Sequence, residues 1–523
     1  MQTQVLIIGG GATGTAVARD LALRGVKCIL VEKDDINAGA SGGNHGLLHS
    51  GGRYVSNDQE AARECREEGE IIKKLAPQCI QENGGLFVAV EGDDEKYIAD
   101  FPEYCNQCDI PVEKIGLKEA REMEPLISEK IIGAYRVQDA SVDPFKLSLE
   151  NINHAQMLGA TLLRRTEVTG FEISNKKIKL VHLKNKETGE SFTIEPEEVV
   201  SASGAWAQHI AGLADIKINM IFSKGSLVIT NNRMTKHIIN RLRPPSDADI
   251  VVPGGVVSII GTTSTQVDEP DGVYPTVAEV NRIIDESSAM IPVLESIRYI
   301  RAFSGVRPLV SSTDSDGGGR NVSRGFVLID HGEDDVENFT TITSGKLTTF
   351  RLMAEKTADL VCQHLGVKKA CLTKIEPLPT SDSYEWTEPG LTPREWLREN
   401  KTDDIVFCEC EMVSKGAIDL IVDSLHKNNE RAKLVDIGFR SRLGRGTCQG
   451  SFCGARTTGY LYDRDEFRSD EGLHDLKDFF QERWKGVFSI LWSDQLIQAE
   501  LMEAMHCGHF SLEMNDLINK GMK

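Results

Sequence analysis

No stretch of the 523 residues is apolar for long enough to cross a membrane; none approaches the roughly 18 residues that a span needs. No export signal is expected either, because the N-terminus runs straight into a strand pattern. Basic excess is absent too. Lys and Arg number 59 against 79 Asp and Glu, a net charge of −20. That balance argues against nucleic acid as a partner and against a simple basic membrane patch, and reads as a solvated acidic surface. Without export, the 12 cysteines belong to a reducing compartment, so where they cluster they point to metal rather than to disulfides. The chain does have length and core: 523 residues, 40% of them hydrophobic, are enough for two or three domains.

The chain is organised around residues 5–54. Residues 5–8 are an apolar run of strand length, followed by Gly9, Gly11 and Gly14 in the spacing G-x-G-x-x-G. Residues 13–25 have helical spacing, with Ala12 and Thr13 at the turn that leads into it, and Cys28–Val31 reads as a second strand ending at Glu32, with Lys33 next. Each residue type has a job. Gly9 permits a tight turn, Gly11 lets backbone approach a pyrophosphate, and Gly14 lets the helix pack on the strand. The helix N-terminus offers free N–H groups to the phosphates, and Glu32 is placed to accept from a ribose diol. A bound dinucleotide is expected. A polar loop, 39–52, follows at once, with Ser41, Gly42, Asn44, His45, Gly46 and Leu47, where an NAD enzyme would continue its alternation of strands and helices. Such a loop can wrap a large cofactor with its amides, which favours FAD.

Further on, helices are expected over 61–75, 95–108 and 144–158, and strands over 85–90, 133–137, 161–167 and 179–183, with a hairpin turning near Gly189. The run VVSASGAWA is a buried strand breaking at Gly204 and Trp206. Residues 216–260 are β-rich and read as an antiparallel sheet. GKLTT puts Gly345, Lys346, Leu347 and Thr348 at the start of a long helix, where negative charge is favoured. Residues 371–403, with four prolines, read as a linker. The C-x-x-C of Cys105 and Cys108 stands alone and reads as structural.

Cys408 and Cys410 form C-x-C, and Cys448 and Cys453 form C-x4-C, each pair ahead of a predicted helix. Four thiolates suit a 2Fe–2S cluster. Zinc accepts four cysteines as well, though usually at C-x2-4-C spacing, and a site without metal is the third reading. Arg440, Arg442, Arg445 and Arg456 either offset the charge of such a cluster or are solvated. Trp484, Val487, Phe488, Leu491 and Trp492 form an apolar group that is either core or a docking face.

GGGATG, NHGLLHSGGRY, GAWAQHIA, KGSLVI, PSDADI, GTTS, SGVRPLV, NVSRG and GKLTTFRLMAE, in this order, resemble the large FAD subunit of the anaerobic glycerol-3-phosphate dehydrogenases, as do the cysteine motifs and RWKG. The cysteine spacing also resembles bacterioferritin-associated-ferredoxin-like domains. The resemblance covers nearly the whole chain. It implies an α/β (α+β) fold of the D-amino-acid-oxidase type: an FAD-binding Rossmann-like domain with an antiparallel-sheet substrate domain, plus a small helical 2Fe–2S domain. The expected division is 1–370 for the FAD module, with FAD-binding parts near 1–80, 145–215 and 320–370. A linker (371–403), the cluster domain (404–462) and a helical extension (463–523) follow.

By the same resemblance the activity is oxidation of sn-glycerol 3-phosphate to dihydroxyacetone phosphate. Arg53, Tyr54, Arg307, Arg324, Lys346 and Thr348 would hold substrate, and His49 and Arg307 would serve catalysis. Gly204 and Trp206 would add a second FAD contact, and the cluster would be held by Cys408, Cys410, Cys448 and Cys453. Implied partners are a second subunit of the dehydrogenase, with an iron–sulfur membrane-anchor subunit feeding quinone, which would place a cytoplasmic chain at the membrane surface. A phosphate monoester suits Arg forks and a Lys point charge. Two other readings remain: an amine or amino-acid oxidoreductase on this fold, and a non-catalytic electron-relay subunit.

Overall fold

The computed structural model describes residues 1–310, 325–379, 404–427, 430–510 and 512. Five parallel strands form the heart of the first sheet. Gln2–Ile8 lies between Cys28–Val31 and Ser191–Ser201, with Thr161–Leu163 and Phe339–Ser344 beyond them. Phe326–Asp330 closes one edge antiparallel, and Thr166–Ser174 with Lys177–Asn185 continues Ser191–Ser201 as a meander.

Strand alternation explains why residues 5–8 are uniformly apolar. Val5 and Ile7 face a helical layer that includes Val17, Leu21, Leu147, Ile152 and Val361, while Leu6 and Ile8 face Val168, Ile178, Val181 and Ile194 of the meander. A parallel strand covered on both faces needs an unbroken apolar run. The predicted strand over 161–167 is two strands, because Arg165 takes a left-handed turn (φ 52°) between them.

The second sheet has nine strands, and Tyr299–Val310 pairs antiparallel along Met220–Thr230. Gly85–Val90 and Ile131–Val137 join it from the first third of the chain. Helix Val277–Ser288, started by a Thr276–Glu279 capping box, buries Val280, Ile283 and Ile284 against this sheet.

The third unit begins with the hairpin Val406–Cys408/Val413–Ser414, and Ser414 accepts from the Ala417 amide at 3.2 Å to start helix Lys415–Lys427. The expected boundary at 462 is not a core boundary. Helix Glu471–Val487 places Leu476, Phe479 and Phe480 in the same core as Ile418, Ile421 and Leu461. The apolar group divides: Val487 and Trp492 pack partly buried on the second sheet beside buried Ile490, with the Trp492 ring centroid 6.2 Å from Tyr299, whereas Phe488 is exposed.

Residues 371–379 are not a free linker. Leu378 is buried in the first core and its amide donates to the Leu75 carbonyl at 2.8 Å, while Arg19 donates to the Glu376 carbonyl at 2.6 Å. Residues 380–403 lie outside the described residues. Cys105 and Cys108 are fully buried, and burial pushes the Cys105 thiol up to about 12, as for an inert core cysteine. Among the described residues no helix is long and apolar enough to cross a membrane.

A buried ion network fixes the third unit to the first. Arg164 pairs with Asp35 at 2.8 Å, with Asp436 at 2.9 Å and with Glu430; Arg165 reaches Asp436 at 2.7 Å, and Arg440 reaches Asp35 at 3.0 Å. Arg164 and Asp436 are almost wholly shielded from solvent.

Candidate active site and cysteine centre

The C-terminal ends of the parallel strands open into a cavity of about 1230 Å³, roofed by the second sheet. This end of a parallel sheet is where such folds bind ligands. Gly9, Gly11, Ala12 and Thr13 line it after the first strand, Glu32 and Lys33 after the second, Gly204 and Trp206 after Ser191–Ser201, and Gly345, Lys346 and Leu347 after Phe339–Ser344. At Gly9 (φ +114°) a Cβ would lie 2.5 Å from the Ala202 carbonyl oxygen, and at Gly14 it would run into the Gly9 carbonyl. Only glycine gives backbone this close approach. Gly14 therefore sits beneath the cavity and does not line it.

Glu32 accepts from the Gly10 and Asp34 amides at 2.7 and 2.8 Å, and burial pushes its carboxyl above the usual range. Lys33 lies 4.0 Å over the Trp206 ring, whose indole N–H donates to Asp271 at 2.9 Å. Ser41 accepts from the Ala12 amide at 3.0 Å. Asn44 holds the loop by donating to the Ser41 carbonyl at 2.7 Å and accepting from the Gly46 amide at 2.7 Å. Ser41, Asn44, His45 and Leu47 line the main cavity, whereas Gly42 and Gly46 face a neighbouring one. The volume exceeds the roughly 300–1,000 Å³ of ordinary small-molecule pockets, and the glycine turn with its adjacent acid has the donor set a dinucleotide needs.

Beyond the loop, His49, Arg53, Tyr54 and Arg307 also line the cavity. The His49 and Tyr54 rings are 5.3 Å apart, and Lys346 Nζ lies 5.3 Å from the centre of the Tyr54 ring. Arg53 donates to Asp249 at 2.9 Å and to the Ser246 carbonyl at 3.1 Å. Arg307 lies across Gly225, donating to the Thr263 carbonyl at 3.2 Å, to Ser223 Oγ at 3.4 Å and to Thr262 Oγ1. Arg53, Arg307 and Lys346 thus share the cavity with Lys33. Thr348 is not on its wall: it is buried, and its hydroxyl accepts from the His49 amide at 3.3 Å. Arg324 lies outside the described residues.

Sequence reasoning missed the groups that hold these side chains. Asp139, buried, accepts from the Ser50 amide at 2.7 Å and from Asn240 at 3.0 Å, pinning the turn that carries His49. Ser223, Thr262 and Thr263 fix Arg307. GTTS was a visible motif, but a supporting hydroxyl has no signature of its own.

The four motif cysteines come together. Cys453 is within hydrogen-bond reach of Cys408 and Cys448, and Cys410 within reach of Cys448. The Gly444 and Glu411 amides point at the Cys408 sulfur, and the Gly450 and Phe452 amides at Cys448. Hydrogen bonds from its thiol neighbours hold Cys448 far below the usual cysteine range. Among the described residues no three His, Cys, Asp or Glu side chains are grouped to hold a single metal ion. Of the four arginines nearby, Arg440, Arg442 and Arg456 are paired with Asp35, Glu411 and Glu409 at 3.0, 2.9 and 2.6 Å; Arg445 instead stacks 4.1 Å over Phe145.

Residues 4–360 match the FAD dependent oxidoreductase family. Over 98% of this chain and 97% of the relative, the sequence is 43% identical to the A subunit of the anaerobic glycerol-3-phosphate dehydrogenase of Escherichia coli. The chain belongs to the family of anaerobic glycerol-3-phosphate dehydrogenase A subunits. As a member of it, the chain is an FAD-dependent oxidoreductase. Among solved structures, the glycerol-3-phosphate dehydrogenase of Bacillus halodurans complexed with FAD is similar at TM-score 0.64 and 20% identity, covering 94% of this chain and 97% of that one. A glycine oxidase from Bacillus cereus is similar at TM-score 0.55 and 22% identity, covering 73% and 99%. These two likenesses concern the fold that the family shares with amino-acid oxidases.

Proposed function

We propose that this chain oxidises sn-glycerol 3-phosphate to dihydroxyacetone phosphate. The observation that carries this reading is the Arg307 guanidinium, fixed on the wall of a cavity that Arg53 and Lys346 also line. A phosphate monoester carries nearly two negative charges, and a pinned fork with two further cations fits it. Tyr54 and Lys346 border the same end, and His49 is positioned through the Thr348 hydroxyl to take the proton from the secondary hydroxyl. The oxidation removes a hydride and a proton from one carbinol. FAD, when bound, supplies the hydride acceptor. The residues that would hold it are Gly9, Gly11, Ala12, Thr13 and Glu32 at the dinucleotide end, with Ser41, Asn44, His45 and Leu47 from the loop. Gly345, Lys346 and Leu347 would hold it as well, and the amide end of the following helix would favour negative charge on it.

The four adjacent thiols, with amides aimed at their sulfurs, have the donor set of a 2Fe–2S cluster. Such a cluster would supply a one-electron outlet toward partner subunits and quinone. The relatives are named as one lettered member of a set, which supports an assembly with other subunits, through which the chain would reach the membrane.

The test is the absorbance spectrum of anaerobically purified protein before and after sn-glycerol 3-phosphate. Flavin bands over a broad iron–sulfur background, bleached by this substrate, are expected. Bleaching by amino acids instead would favour the oxidase reading, and loaded protein that no substrate bleaches would favour a relay subunit. Replacing His49→Asn should slow bleaching far more than it weakens binding.

A further inference from the structure

A second cavity, of about 1090 Å³, lies at the seam between the cysteine unit and the two sheets. Five arginines line it; Arg165 and Arg442 are ion-paired, and the other three are Arg301 from the strand Tyr299–Val310, Arg445 from the loop before Cys448, and Arg483 from helix Glu471–Val487. Each of these three has a fully shielded Nε with no hydrogen-bond partner among the described residues, and the Gln449 side-chain oxygen beside them is likewise shielded and without one. Arg483 is only 8% exposed. It packs on the Phe479 ring, at 4.9 Å, and Arg445 packs on the Phe145 and Phe439 rings.

Most of the carboxylates along this cavity are engaged elsewhere; Asp478 lines it without a hydrogen bond to any of the three arginines, and Glu482 attracts Arg301 and Arg483 only at a distance. Asp35 and Asp436 serve Arg164, Arg165 and Arg440; Asp143 faces Arg442 at 3.4 Å; Asp475 accepts from the Leu434 amide at 2.8 Å; and Glu482 pairs with Lys485 at 2.7 Å. Burial, with repulsion by one another and by neighbouring guanidiniums, holds Arg445 down to about 9 and Arg483 well below the usual arginine range. Three like charges left unpaired in one interior space are costly unless something negative sits among them.

We infer that this seam cavity is a binding site for a tetrahedral oxyanion of the phosphate class, held by Arg301, Arg445 and Arg483. A carboxylate satisfies one guanidinium fork, whereas a tetrahedral anion offers oxygens to several at once. The bound anion would tie the strand that carries Arg307 to the unit that carries the four cysteines. It adjoins the substrate cavity, with which it shares Gly43, Asn44, His45 and Ser304, but of its three arginines only Arg301 belongs to an element of that cavity's wall, and it needs no cofactor chemistry.

The test is thermal melting of the FAD-loaded full-length protein in sodium phosphate, against sodium chloride of equal ionic strength. Phosphate should raise the melting midpoint of the wild type, and Arg307→Gln, which disables the other anion pocket, should keep the rise. Arg301→Gln and Arg483→Gln should each need at least about tenfold more phosphate for the same rise, and Arg483→Lys should respond in between. Should Arg483→Gln fold poorly, Arg301→Gln makes the same comparison. The proposal is overturned by a rise that survives both substitutions undiminished, as it would if the arginines only offset the charge of the cysteine centre. It is equally overturned by a rise that disappears in Arg307→Gln, or by none in the wild type up to about 100 mM phosphate.

Discussion

Gly43 and Gly305 meet backbone to backbone: a Cβ on Gly43 would lie 2.8 Å from the Gly305 Cα, and one on Gly305 would strike the Gly43 carbonyl. The contact sets the cofactor-side loop against the strand that carries Arg307, and so fixes the distance between the two walls of the cavity.

Gly305→Ala should therefore open the cavity rather than unfold the protein. FAD affinity measured by fluorescence quenching should fall by about tenfold or more, with the melting transition of the FAD-free protein little changed. An affinity equal to the wild type would mean the loop adjusts freely.

Arg307→Gln removes the pinned fork. If phosphate recognition rests on it, kcat/KM for sn-glycerol 3-phosphate should drop by roughly a hundredfold, the equivalent of about 3 kcal/mol of charge-assisted hydrogen bonding. Arg307→Lys should recover only part, since an ammonium cannot reach Ser223, Thr262 and Thr263 while facing the substrate. Steady-state kinetics with both variants checks this.

Much of this was legible. The uniformly apolar residues 5–8, the glycine spacing and Glu32 announced the dinucleotide end, because a parallel strand and a phosphate turn leave few residue choices. The cysteine motifs named the four thiols that come together. Thr348 was misread as a wall residue, since GKLTT states a helix start but not that its hydroxyl turns inward to the His49 amide. Asp139 left no trace at all; a buried acid holding a distant turn looks like any other Asp. The boundary at 462 failed because the core of the cysteine unit is closed by Phe479 and Phe480, beyond the motif that suggested its end.

Cys448→Ser should leave FAD content unchanged and abolish protein-bound iron and the broad visible absorbance, if the four thiols hold a cluster. Iron analysis beside the flavin spectrum decides it. Cys105→Ser, in an inert core position, should keep both chromophores.

Asp436→Ala strips Arg164 and Arg165 of a shared buried carboxylate. A loss of about 3–5 kcal/mol is expected, concentrated at the docking of the cysteine unit. Limited proteolysis should release that unit while the FAD-loaded remainder persists; a single cooperative loss of both would place the coupling elsewhere.

Asp475 has its carboxyl pushed up to about 6, chiefly by burial and then by Asp436 nearby. The folded state thus holds this proton more tightly than the unfolded chain does. Its contribution is fully present below about pH 4 and is lost as pH rises to about 6, by at most about 3 kcal/mol. Asp475→Asn should flatten that part of the stability profile and leave the variant the more stable at neutral pH, as denaturant titrations at several pH values would reveal.

The order of strands in the first sheet bears on how the protein is made. Gln2–Ile8 has its parallel neighbour in Ser191–Ser201, and that strand has its own in Phe339–Ser344. The opening strand leaves the ribosome long before either. At about 5–20 residues per second, the sheet cannot close for on the order of 20–70 s after synthesis begins. Until Ser191–Ser201 is made, residues 5–8 have only Cys28–Val31 beside them and an open edge on the other side, which makes the nascent chain, more than the finished enzyme, the form in need of a chaperone.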